Sequence, residues 1–332
     1  MTTEIQIAGI QTGRALDRPA VAMATAAMFM VGTLAAVSDV IQDYPLYGGQ
    51  AVRYAVAAVA LLATAALLDR RSGTVRARLT ARDRVLLVLL SLTGLVIFNI
   101  CVIESARHAG PALVGTVLGT VPLALALCAP IPALLSRRSN TGPSAARDGN
   151  PSDGLTRGAR TLLPSRRILF AAGVVVAGAT LATGLGSGTP AALLWALGAL
   201  ACEVCFSLLA LPLLPKLGAV RVSAYSAALA VPALLVLGAA VDGAGILRAP
   251  TLAEALGLGY LALVVTTVAF FLWYSALPRL GPEKAGLFAG MIPVGAIGTG
   301  VVLGLGVPSV ADLAGAGLVI AGILIGLRPE PA

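Results

Sequence analysis

Two charged residues sit where an apolar chain should not carry them. Glu203 falls 14 residues into the apolar run 190–212, roughly 20 Å along a helix rising about 1.5 Å per residue. An ionisable group at that depth of a bilayer costs at least roughly 2.5 kcal/mol and normally faces a cavity or a partner. Glu203 therefore reads as a proton-coupling or cation-binding carboxylate, protonated in apolar surroundings and ionised when wet, or as a hydrogen-bonded packing residue. Arg53 lies near the head of the run 46–68. A guanidinium cannot discharge itself, so it calls for an anion: Asp39 or Asp43 at the end of the preceding run, or the carboxylate or phosphate of a bound solute.

Other side chains are compatible with the same chemistry or with packing. Asn99 is placed to hydrogen-bond a solute or a neighbouring helix. Glu104, Arg107 and His108, the only histidine, share a helix end, which reads as a solvated cluster or an outer proton acceptor. Thr266, Phe270, Trp273 and Leu277 recur on one helical face, with Thr267, Phe271 and Tyr274 on the next. Such aromatics either line a cavity by stacking and cation–π contact or form an interfacial belt near Arg279. Trp195 and Tyr225 pose the same choice. Cys202-x-x-Cys205 lies within an apolar run away from His108, so small-residue packing rather than metal binding is expected. No metal, cofactor or catalytic group is expected.

The elements that position these residues follow from composition. Hydrophobic residues make up 58% and charged residues 11%, against about 25% charged in soluble domains, and mean hydropathy is +0.93. That excludes a soluble enzyme, a disordered chain and a disulfide scaffold. With Lys216 before Leu217 and Lys284 before Ala285 as the only lysines, no Walker-type GK[ST] exists. Runs near the ~20 residues that cross a bilayer occur at 19–38, 46–68, 85–106, 109–135, 168–186, 190–212, 219–241, 254–277, 284–305 and 310–327. The pattern predicts an all-α polytopic membrane protein with ten transmembrane helices.

Charge placement predicts the orientation. With both termini on one side, twenty of the 23 basic residues fall there, Arg107 and Arg248 fall opposite, and Arg53 lies within a span. By the positive-inside rule the N and C termini are cytoplasmic. Residues 1–18 then form a cytoplasmic tail before an uncleaved first span, and 329–332 a second tail. The polar stretch 136–167, rich in Ser, Gly, Pro and Arg, reads as a disordered cytoplasmic loop. These basic segments serve orientation and weak lipid-headgroup attraction, not nucleic acid binding.

The chain also matches itself. An offset of 171 lays Gly110, Pro111, Gly115, Gly119 and Pro122 onto Gly281, Pro282, Gly286, Gly290 and Pro293, and residues 171–178 match 315–322 at an offset of 144. Weaker still, Ala51-Val52-Arg53 matches Ala219-Val220-Arg221. Two five-helix repeats are predicted, 19–187 and 188–328, with the second inverted because five spans is an odd number. Inverted repeats characterise secondary transporters, in which rocking one half against the other alternates access to a midplane site. Pro122 and Pro293 become paired kinks at a gate, and Gly115, Gly119, Gly286 and Gly290 points of close helix contact.

Three stretches carry a family resemblance: Tyr44-Pro45 followed by Arg53-Tyr54; residues 259–277 (GYLALVVTTVAFFLWYSAL); and residues 281–322 with Pro293. They are similar to the drug/metabolite transporter superfamily, in its ten-helix EamA-type branch, over nearly all of 19–327. One departure is that such proteins commonly carry a Gly-Glu near the ends of spans four and nine, where residues 303–307 here read Leu-Gly-Leu-Gly-Val. The resemblance implies export or exchange of small organic molecules. Alternating-access export of a metabolite or drug across a bacterial cytoplasmic membrane, coupled to proton entry, is the leading expectation, with uptake or exchange as the alternative.

Overall fold

Apolar helices dominate because a backbone in hydrocarbon must satisfy its own hydrogen bonds. The computed structural model describes residues 17–72, 78–109, 111–129, 164–184, 189–304 and 307–328. The expected loop 136–167 lies outside the described residues up to position 163, as do tail residues 1–16 and 329–332 and Gly110. The described residues are helical without a strand. In chain order the helices are α1 (Arg18–Ser38), α2 (Leu46–Ser72), α3 (Ala81–His108), α4 (Pro111–Leu118 with Val121–Cys128), α5 (Arg166–Thr183), α6 (Pro190–Ala210), α7 (Leu214–Asp242), α8 (Leu252–Leu280), α9 (Pro282–Val302) and α10 (Val310–Leu327). Eight of them, all but α1 and α4, are long and apolar enough over the described residues to cross a membrane; Arg18–Leu34 and Leu113–Cys128 are shorter apolar helices. Large apolar side chains such as Phe170, Leu194 and Val236 are exposed on the outer surface, as a lipid-facing wall requires and a water-facing one avoids.

Local chemistry sets the helix ends. Thr80 and Asp83 close a capping box at the start of α3, and Thr251 and Glu254 do the same for α8. Each pair satisfies two orphan N–H groups. The boxes are themselves 171 residues apart. Thr189 caps α6 ahead of Pro190, and Ser309 with Asp312 caps α10. Gly281, at φ +78°, turns the chain from α8 into α9, a backbone conformation that costs an L-residue its Cβ clearance.

Two helices contain wide π segments, Leu92–Ile97 in α3 and Leu261–Val268 in α8. Two others break one turn before a proline. In α4 the chain turns at Gly119-Thr120 ahead of Pro122, and in α9 it tightens to 3-10 at Phe288–Gly290 ahead of Pro293. Proline cannot donate to the carbonyl four residues back, so each break sits where the ladder is already interrupted.

Small residues set the packing, since lipid is as apolar as the helices and association depends on close fit. α5 packs along α10 and α2 along α7. A Cβ on Gly178 would meet the Gly315 carbonyl oxygen at 2.7 Å, and one on Gly315 the Gly178 oxygen at 2.5 Å. α1 packs on α8 and α9 while α6 packs on α3 and α4. At the α1–α9 crossing, Gly32 lies against the Ile292 backbone and Gly295 against that of Phe29. Gly115 faces Thr183, Gly119 the Ala179 side chain, Gly286 the Leu125 side chain, and Gly290 Val175 and Val319.

A candidate solute site between the helices

The helices line a largely apolar, partly open cavity of about 290 Å³, near the lower end of the ~300–1,000 Å³ of ligand pockets. Arg53 of α2, Asn99 of α3, Glu203 of α6 and Phe270 and Trp273 of α8 all border it. The structure thus brings together side chains from four helices that the sequence presented separately. Trp195 and Tyr225 do not border it: Trp195 is 38% exposed on the outer surface, and Tyr225 packs against the main apolar core.

Arg53 is buried, and its donors are only partly used. Its Nε–H donates to Thr266 Oγ1 of α8 at 2.7 Å and Nη1 donates to Gln50 Oε1 at 3.3 Å. The guanidinium lies 5.2 Å from the Tyr54 ring centroid. Of the acids expected at the end of α1, Asp43 is exposed, and the side chain of Asp39 lies outside the described residues. No ion pair to Arg53 or Glu203 occurs among the described residues. Thr266 is held for its role by the π segment, because its hydroxyl also donates to the Leu261 carbonyl five residues back at 2.8 Å.

Asn99 uses its amide N–H groups on the Leu95 carbonyl and, at 3.4 Å, on Tyr54 Oη. Trp273 is buried, and its indole N–H has no acceptor among the described residues. That overturns the interfacial-belt alternative for Trp273; the lipid-facing aromatic of α8 is Phe271, 40% exposed. Beside the cavity, Phe206, Phe270 and Tyr274 form a ring cluster with centroids 5.2, 5.2 and 6.3 Å apart. Phe206 had no sequence signal beyond lying three residues after Glu203.

The wall is built from matching positions. Asn99 and Phe270, Val102 and Trp273, Leu118 and Ala289, Val121 and Ile292, and Gly32 and Glu203 all border the cavity, each pair 171 residues apart. Leu118 and Ala289 are the residues four before Pro122 and Pro293, so the carbonyls that proline leaves without an N–H partner belong to cavity-lining residues.

Ion pairs tie the helices at both ends. Arg221 of α7 binds Asp69 of α2, Lys216 of α7 binds Asp83 of α3 at 2.8 Å, and Arg279 of α8 binds Asp17 at 2.8 Å. At the other end Arg248 Nη1 donates to Glu254 Oε2 at 2.9 Å and Nη2 to the Asp43 carbonyl at 3.1 Å. The hydrogen bond that Arg248 donates to the Glu254 carboxylate pushes the Arg248 pKa up. Glu104, Arg107 and His108 form an exposed helix-end cluster, with Arg107 paired to Glu104 at 3.1 Å and His108 Nδ1 at 2.8 Å from the Glu104 carbonyl. Among the described residues no three His, Cys, Asp or Glu side chains are grouped to hold a metal.

The EamA-like transporter family model matches residues 190–328. The second half of this chain is thus similar to EamA-like transporters. YetK, an uncharacterized transporter of Bacillus subtilis (strain 168), is 26% identical over 287 residues, covering 84% of this chain and 78% of its own. A crystal structure superposes on 93% of this chain and 96% of its own with a TM-score of 0.66 at 19% identity, a likeness of fold. The family agrees with the resemblance read from the residues. It describes a multi-pass membrane protein that transports small molecules, and points to transport rather than catalysis.

Proposed function

We propose that the chain is a secondary carrier that exports a small organic solute across a bacterial cytoplasmic membrane by alternating access around this cavity. The observation that carries the proposal is the wall of matching positions: a site lined twice over by the same offsets is what two inverted repeats create at their interface. The paired capping boxes, π segments and proline breaks support the same reading. So does the packing, in which the partners of α1 correspond to those of α6. All ten helices then cross the membrane, 19–187 and 188–328 form the two repeats, and the basic excess puts both termini and the segment 136–167 in the cytoplasm.

In this reading Arg53, Asn99, Phe270 and Trp273 contact the solute. Pro122 and Pro293 mark the bends at which the halves of α4 and α9 change angle. Glu203 supplies the coupling: alone among the cavity's charged groups it can gain and lose a proton as access alternates, which links solute movement to a proton gradient. Export or exchange is what the resemblance implies.

The test uses purified protein in liposomes loaded with a radiolabelled small-molecule extract of bacterial cells. Glu203→Gln is expected to abolish accumulation driven by a pH gradient while sparing solute exchange at equal pH. Unchanged gradient-driven rates in the variant would leave Glu203 a packing residue.

A further inference from the structure

Beyond transport itself, the chemistry of the cavity identifies a class of solute. Of the five guanidinium N–H groups of Arg53, one is taken by Thr266 and one by Gln50; the other three have no acceptor among the described residues. Trp273 contributes a further buried N–H without an acceptor. Buried donors are nearly always satisfied, so the indole N–H without an acceptor, on the same cavity as a guanidinium whose donors are only partly used, indicates a ligand that accepts hydrogen bonds. Charge points the same way. Arg53 keeps its charge under all conditions, whereas Glu203 can become neutral by taking a proton. The permanent charge on the wall is therefore positive. The rest of the wall, including Phe98, Phe270 and Val265, is apolar or aromatic, and about 290 Å³ admits a solute of about one ring.

We propose that the cavity selects small organic anions: a planar carboxylate received by the free edge of Arg53 and by Trp273 Nε1–H, on a flat apolar body seated against Phe270. The guanidinium fork matches a carboxylate in plane and with two parallel bonds. Gln50 and Thr266 fix the orientation of that fork, and so act as positioning residues. The inference rests on reading this cavity as the substrate site.

The chain contains two tryptophans, so Trp195→Phe, on the outer surface, leaves Trp273 as the sole indole reporter. Three heavy-atom quenchers of one shape are titrated into that protein in detergent: para-iodobenzoate, para-iodobenzamide and para-iodobenzamidine. Para-iodobenzoate is expected to quench saturably, with a Kd at least about ten-fold below that of the amide, since a charge-assisted pair is about twice as strong as a neutral one. The amidinium is expected not to saturate. Arg53→Gln should raise the benzoate Kd to the amide's value and leave the amide unchanged; Arg53→Lys, which keeps the charge but loses the fork, should fall between. Equal affinity for acid and amide, tighter binding of the amidinium, or no saturable quenching by any of the three overturns the proposal. The wild-type cavity series decides the matter even where a variant fails to fold. Counterflow of labelled para-iodobenzoate in liposomes separates the two readings. Binding without exchange sinks the carrier and keeps the anion site. Exchange of the amidinium without benzoate binding does the reverse.

Discussion

Thr266→Val is a near-isosteric change that removes the hydroxyl oxygen accepting from Arg53 Nε at 2.7 Å. It also removes the bond from that hydroxyl to the Leu261 carbonyl. A hydrogen bond to a charged group contributes about 1.5–3 kcal/mol and a neutral one about 0.5–1.5 kcal/mol, so the substitution should cost about 2–4.5 kcal/mol. In an Arg53→Met background, where the side-chain stem remains and the charge is gone, only the neutral part of that cost should persist. The double-mutant cycle, read from denaturant unfolding of detergent-solubilised protein, therefore predicts a coupling of about 1.5–3 kcal/mol between α2 and α8. Thr266→Ser should behave as wild type. If the two substitutions add within about 0.5 kcal/mol, as independent sites do, Thr266 does not hold Arg53 and the account of the cavity's charged wall fails.

Gly295→Val places a side chain against the Phe29 backbone, which cannot yield as a flexible side chain would. A cost of at least about 1–3 kcal/mol is expected from overpacking, seen as a lowered melting temperature, whereas Gly300→Ala, with open space around it, should be neutral. Trp195→Phe should leave transport rates unchanged, and Trp273→Phe, which deletes the cavity N–H, should raise the half-saturating solute concentration; equal effects would contradict the placement of the two indoles. His108→Ala should leave the pH dependence of transport unchanged, because its ring sits on an exposed helix end with Glu104.

The helices were legible to within a few residues because hydrocarbon imposes a strong compositional rule: the run read at 310–327 is the helix Val310–Leu327, and 19–38 is found as Arg18–Ser38. Glu203 and Arg53 were legible as misfits in apolar runs. Their partners were not. The acceptor of Arg53 Nε–H is Thr266, 213 residues away, and no local spacing encodes which helix faces which. The side of Trp195 depended on the rotation of α6 about its axis, which a nearly uniform run of Ala and Leu leaves undefined. For Trp273, closeness to Arg279 suggested a belt, whereas the π segment ahead of it inserts an additional residue into the turn and shifts every later side chain around the axis. The capping boxes at Thr80 and Thr251 were present as residues at the repeat offset, but polar helix ends carry little weight beside Gly and Pro coincidences.

A carrier moves its solute through one site that is exposed to each side of the membrane in turn. Counterflow measures it most directly: purified protein in liposomes, with radiolabelled extract outside and rising concentrations of unlabelled extract inside. Uptake of label is expected to be saturable, to be stimulated by solute on the opposite side, and to be lost in Arg53→Gln while that protein still elutes as a single folded species. Flux that rises linearly with concentration and ignores solute on the far side would contradict it.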